Sequence, residues 1–378
     1  MPRGLRRPPS FAVRRALILA LPAALVLGWA APAEALTEQE QRARILFQTR
    51  EQENRLIESG FLLGDAALDA YLQSVLDRLY PSHQGEFRVR VVRNLDFNAF
   101  AVATGNLYVH QGALLRLRNE AELASVIGHE VGHIIGDHMY RGTREAKALV
   151  RIFIFVPLLG PLAGMSSMAG FSRDLEREAD HTGIDAMATA GYDAKAAAPV
   201  FERMAKEITD RKIKEPPYIF ADHPALLERA HSFNEIAAKA GPGELRQEEY
   251  LAATRQIRID TLKGIYERKD GRALISLLAA DGQAELFAPE GLFFLAEGYR
   301  FRAEDGDEQR ALDLYGRSIS EHPGFPLAYA ARGRIYARQG EKSLALADLE
   351  QFVALAPDAR EASFARQTID RIKKEMQP

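Results

Sequence analysis

Apolar residues recur at helical spacing through most of the chain and alternate in only one short region. Thr37 to Gly60 is charged, with Ile45, Leu46, Leu56 and Ile57 as its apolar positions, which predicts one amphipathic helix. Asp65 to Tyr80 predicts a second, with Leu68, Tyr71, Leu72, Val75, Leu76 and Leu79 on one face. After a turn at Pro81–Gly85, Phe87–Val92 alternates like a strand, and Asn98–His110 reads as two strands around the turn Thr104-Gly105-Asn106. One helix is expected from about Asn119 through Tyr140. Further helices are expected at Ser172–Ala190, Ala194–Lys214 and Pro224–Ala240, with Pro216-Pro217 as a stop. Gly241-Pro-Gly243 is the natural domain boundary.

Two stretches depart from this pattern. Residues 152–171 carry no charge and are long enough to span a bilayer, yet Pro157, Gly160, Pro161, Gly164 and Gly170 interrupt them. A buried or cleft-covering helical hairpin is the first reading, a membrane-surface contact the second and a true span the third. Beyond residue 241 the helices repeat. Gly333, Tyr336, Ala345, Leu349, Phe352 and Pro357 hold the small and aromatic positions of a tetratricopeptide repeat of about 34 residues, and Gly298, Phe301, Ala311, Tyr315 and Pro323 hold them in the copy before, with one extra residue in a turn. A stable array needs more than two copies, so residues 245–290 are expected to supply degenerate helices that stack on them.

Residues 1–35 read as a cleavable signal peptide: a leader with five arginines, the apolar run Ala16–Leu27 and an Ala33-Glu34-Ala35 cleavage site. The composition, 47% hydrophobic and 27% charged, is that of an ordinary soluble protein. Removing the leader takes five basic residues and one acidic residue from a chain whose formal charge is already −3, which argues against a nucleic-acid partner. No cysteine is present, which excludes disulfides, thiolate metal sites, cysteine nucleophiles and a lipidated N-terminal cysteine. An exported chain of this kind points to the periplasm. The expected division is a signal peptide at 1–35, an α+β domain with a small sheet at 36–240 and an α-helical repeat solenoid at 241–378.

The candidate chemistry lies in His129-Glu130-x-x-His133. Residues four apart share a helix face, so two imidazoles can grip one metal ion while Glu130 reaches a water beside it. A catalytic zinc site of this type needs a third protein ligand and one open position. Glu176 is the candidate, with Asp180 one turn on to accept the free N–H of a ligating histidine. Taken alone, Glu176-Arg-Glu-Ala-Asp180 reads as a solvated charged face; beside the histidine pair it reads as ligands. His138 is about 140° around a straight helix from His133 and is not expected to reach the same metal. His181 is off-face by the same argument, and His83, His110, His231 and His322 have no ligand-like company.

Three stretches, His129–His133, Ser172–Asp180 and Asp222-His223-Pro224 with Arg229 six residues after the histidine, match in order and spacing the gluzincin peptidases that include the CAAX prenyl protease and HtpX. Within that family the chain resembles the periplasmic BepA (YfgC) type, well over residues 37–240 and by architecture in the repeats. The resemblance implies one zinc ion bound by His129, His133 and Glu176, with Glu130 as general base. It implies that His223 lies over the metal as a latch, or as an oxyanion donor once released, with Arg229 as a further cation. It also implies misassembled envelope proteins as clients, in quality control of outer-membrane β-barrel or lipopolysaccharide assembly. The turn after Asn98-Ala-Phe-Ala keeps a glycine but lacks the family's proline, and that strand is where an extended peptide is expected to add. The alternative reading is an assembly factor that works through its repeats, its protease site latent and secondary.

Overall fold

The computed structural model describes residues 37–145, 171–213, 226–280 and 282–377. The expected leader, the uncharged stretch except Phe171, and His223 lie outside the described residues. Helix α1 (Glu38–Glu58) starts at a reciprocal cap: the Thr37 hydroxyl accepts from the Glu40 amide, and the Glu40 carboxylate accepts from the Thr37 amide. Helix α2 (Ala66–Leu79) starts where the Asp65 carboxylate accepts from the amides of Ala67 and Leu68, and it buries the predicted stripe from Leu68 to Leu79.

The alternating stretch forms β1 (Arg88–Val92), and the expected strand pair forms β2 (Ala99–Ala101) and β3 (Asn106–His110). The order is β1-β3-β2, with β3 parallel to β1 and antiparallel to β2, so β2 is an edge strand. Val102 donates to the Asn106 carbonyl, and His110 donates to the Asn98 carbonyl. The alternation of an antiparallel ladder then turns the backbone N–H and C=O groups of Ala99 and Ala101 away from β3. Ala99, Ala101, Leu107 and Val109 join the main core, while Phe100, Val102 and Tyr108 pack beneath Leu56 of α1 on the other side of the sheet.

Short α3 (Gln111–Arg116) leads to α4 (Glu120–Ile135), capped by the Asn119 side chain. The expectation of one helix through Tyr140 is corrected here. Gly136 ends α4, Asp137 turns with φ 56°, and α5 (His138–Glu145) starts afresh. The local reason is steric: a Cβ on Gly136 would lie 2.2 Å from the His138 ring, so the break needs glycine. Helix α6 (Arg173–Thr189) then packs on α4 with the two backbones in contact. A Cβ on Gly132 would come within 2.9 Å of the Ala179 backbone, and one on Gly183 within 2.8 Å of the His129 amide nitrogen. Helices α7 (Ala197–Arg211) and α8 (Leu226–Ala237) close this side of the core, their Phe201 and Phe233 rings stacked 5.0 Å apart.

The remaining helices are α9 (Gln247–Glu267), α10 (Gly271–Leu278), α11 (Glu290–Arg302), α12 (Asp307–Glu321), α13 (Pro326–Gln339), α14 (Lys342–Leu355) and α15 (Ala362–Met376). The two repeats are the hairpins α11–α12 and α13–α14, with Ala311, Tyr315, Ala345, Leu349 and Phe352 buried at their predicted positions. Helix α9 does more than stack on them. Its Tyr250 and Ile257 belong to the core of the sheet-bearing region, while Leu262 and Ile265 belong to that of the repeats. Among the described residues no helix is long and apolar enough to cross a membrane.

The α4–α6 contact gives a prediction of sign. Gly183→Ala gains helix propensity worth about 1 kcal/mol, yet its methyl meets backbone that cannot rotate aside. We expect a net loss of about 1 kcal/mol or more in urea unfolding, by the usual cost of overpacking. The control Gly241→Ala, which has open space around it, should leave the midpoint in place. A stabilised Gly183→Ala protein would mean that the backbones are not in contact.

Candidate metal centre

Four polar side chains face one another across the glycine-lined contact, His129 and His133 from α4 and Glu176 and Asp180 from α6, and all four are buried. The Nε2 atoms of His129 and His133 are 3.0 Å apart. The Glu176 carboxylate lies 3.6 Å from the first and 3.4 Å from the second. Among the described residues these three form the single group whose ligand atoms converge within 4.8 Å. Ligand bonds of about 2.0–2.1 Å in a tetrahedral array hold ligand atoms about 3.3–3.4 Å apart. The observed separations, taken to the two Glu176 oxygens in turn, are close to that spacing, and the three residues fit as ligands of a single ion, with no fourth protein ligand among the described residues. Asp180 Oδ1 sits 2.8 Å from His129 Nδ1, so it accepts that N–H and leaves the Nε2 lone pair facing Glu176 and His133.

Glu130, also buried, turns the other way. Its Oε2 accepts the Ala101 amide at 3.0 Å, one of the outward-facing groups of edge strand β2. The residue after His129 is thus bonded to a strand that, among the described residues, pairs on one side only.

Two neighbours were not legible as site residues. Phe171, the last residue of the uncharged stretch, stacks on the His133 ring at 4.0 Å between centroids. His138 packs behind His133, Nδ1 to Nδ1 at 3.0 Å. The straight-helix argument correctly keeps His138 off the ligand face, but the break at Gly136 folds its ring onto the far side of His133. Burial pushes the His138 imidazole below its ordinary range, with Glu178 pulling in the opposite direction. The sequence signal that pointed to this was the Gly-Asp pair just before it.

The remaining expected positions fall away from the triad or outside the description. His110 is buried edge-on to Phe100, where desolvation pushes its imidazole down to about 4. Arg229 is described only as a position on α8, and His223 lies outside the described residues.

Residues 63–237 match the model of peptidase family M48, and residues 300–370 match that of the tetratricopeptide repeat. The chain is 30% identical over 205 residues to a putative beta-barrel assembly-enhancing protease of Vibrio cholerae, a match covering 49% of this chain and 42% of that protein. It is 27% identical over 220 residues to the beta-barrel assembly-enhancing protease of Escherichia coli, covering 52% and 45%. It is 33% identical over 126 residues to the mitochondrial metalloendopeptidase OMA1 of Arabidopsis thaliana, covering 32% and 26%. The chain thus spans less than half the length of each of these relatives. The triad on α4 and α6 lies inside the region that matches the peptidase family M48, and the α11–α15 hairpins surround the region that matches the tetratricopeptide repeat.

Proposed function

We propose that the protein is a periplasmic zinc endopeptidase that hydrolyses peptide bonds in misfolded or stalled envelope proteins. The observation that carries this reading is the convergence of His129, His133 and Glu176 beside Glu130, the residue after His129, whose carboxylate accepts the Ala101 amide of β2. Two imidazoles, one carboxylate and an open corner are a zinc donor set. The ion supplies Lewis-acid polarisation of a carbonyl oxygen.

The chain's own residues do the rest. An extended substrate adds to β2 through the outward groups of Ala99 and Ala101. Pairing with that edge competes for the Ala101 amide, freeing Glu130 from its resting hydrogen bond. Glu130 then takes the proton of the attacking water and hands it to the leaving amine. Asp180 holds the tautomer of His129. His223 acts as a latch over the site, and Arg229 as a nearby cation; both assignments rest on the family likeness.

The division into 36–240 for catalysis and 241–378 for recognition follows the same reading. The repeats support a protein partner on the second part, and the relatives' names support the outer-membrane β-barrel assembly machinery as that partner; the alternative, lipopolysaccharide assembly machinery, rests on the family likeness alone. Residues 152–171 would add a membrane-surface contact.

Degradation of an unfolded model protein by the chain without its leader tests the reading. Glu130→Gln should lose at least a hundredfold in rate while still binding zinc, since general-base catalysis contributes about 10²–10⁴. His223→Ala should cleave faster than the parent. Equal inertness of all three, with zinc bound, would transfer the function to the repeats as an assembly factor. Asp180→Ala should bind zinc about 10–100 times more weakly in chelator competition; unchanged affinity would remove Asp180 from the site.

A further inference from the structure

His138 is buried against His133, and nothing in the zinc-peptidase motif requires it. With the His133 Nε2 lone pair turned toward Glu176 and His129, the proton of a neutral ring lies on Nδ1. That nitrogen is 3.0 Å from His138 Nδ1, so one of the two must donate and the other accept. His133 donates. The His138 proton is then on its Nε2, and this atom lies 3.5 Å from the Glu178 carboxylate, an ion-pair distance without a hydrogen bond. Arg141 holds the other end, donating at 2.9 Å to Glu178 and at 3.0 Å to the Gly136 carbonyl at the end of α4.

We propose that His138 is a positioning residue for His133: it accepts the His133 Nδ1–H and fixes that ring's tautomer and orientation, with the Glu178 carboxylate beside its own Nε2. The inference rests on the reading of His133 as a metal ligand. It gives the two imidazoles matching support from one helix. Asp180 of α6 reaches His129 directly, and Glu178 of α6 reaches His133 through His138. It also accounts for the break between α4 and α5. On a continuous helix His138 would project about 140° away from His133. The turn at Asp137 brings it back, and Gly136 leaves the space its ring occupies. The turn is secured from outside, because Arg42 of α1 pairs with the Asp137 carboxylate and lies 4.2 Å over the Tyr140 ring.

The test compares zinc affinity, by competition with a chromophoric chelator, in the wild-type chain, His138→Phe and His138→Asn. Phenylalanine keeps the ring and removes the acceptor, whereas asparagine puts an oxygen close to the position of Nδ1. The expected result is a loss of about 10–100-fold in His138→Phe, the usual effect of removing a partner of a ligating histidine, with most of it recovered in His138→Asn. In the zinc-loaded wild-type protein, nitrogen NMR should show His133 protonated at Nδ1. Equal affinity of wild type and His138→Phe would overturn the proposal, as would His138→Asn binding as weakly as His138→Phe. Should His138→Phe not fold, Glu178→Gln on the surface carries the test: a several-fold loss of affinity supports the relay and no change overturns it. A wild-type chain that binds no zinc would instead bring down the metal reading itself, a result distinct from any of these.

Discussion

The contact between α4 and α6 sets the geometry of the whole site. Helices usually pack with axes 8–10 Å apart, and side chains at the interface decide where in that range they settle. Here the interface residues are Gly128, Gly132, Ala179 and Gly183, so backbone meets backbone. The close approach lets a glutamate and an aspartate from α6 reach two imidazoles on α4 without strain in either helix. It also fixes the register. One helical turn is about 5.4 Å, so a slip of one turn would carry Asp180 and Glu176 past the atoms they meet. The same small residues that lower helix propensity thus hold four buried polar groups in mutual reach, where an unpaired one would cost several kcal/mol.

Helix α4 faces a second partner as well. Ala99 and Ala101 share its core through their side chains, while the Ala101 N–H donates to Glu130 on it. Glu130 reaches this strand from the residue next to His129. A helix that carries two of the three triad residues on one face and touches an edge strand on the next would, on the proposed reading, bring a metal ion and an extended peptide together with no loop between them. This explains why β2 can be only three residues long: its work is done by two alanines whose side chains are small enough to let α4 lie close.

Most of this was legible in the sequence, because its signals were periodic or spaced. The stripe of α2, the strand pair around Gly105, the His129–His133 pair and the small and aromatic positions of the repeats all depend on local intervals. Glu176 and Asp180 were found because their four-residue spacing suits a metal site once the histidines are known. What escaped were features made by a break or by distant packing. The interval from His133 to His138 was converted into an angle on a straight helix, and the helix is not straight there. Phe171 was grouped with an apolar stretch, whereas its ring is against a site histidine. The Ala101 amide carries no signal in sequence at all, since any residue supplies one.

The double allegiance of α9 was likewise invisible, because its apolar residues look alike whichever core they enter. Tyr250 donates to the Leu114 carbonyl, and Arg258 donates to that of Leu115, so α9 is bonded to the end of α3 at two successive residues. Arg258 is buried, its guanidinium 4.5 Å over the Phe287 ring, and burial lowers its pKa from the usual arginine range. A buried guanidinium is costly unless its surroundings hold it; here the Phe287 face and the Leu115 carbonyl hold part of it, while its Nε and Nη1 find no hydrogen-bond partner among the described residues. Such a group loses its partners as soon as the repeats shift against the sheet-bearing region. The arrangement therefore ties α9 to both regions, and on the proposed reading a protein held by the repeats would meet the triad from a fixed frame rather than through a flexible tether.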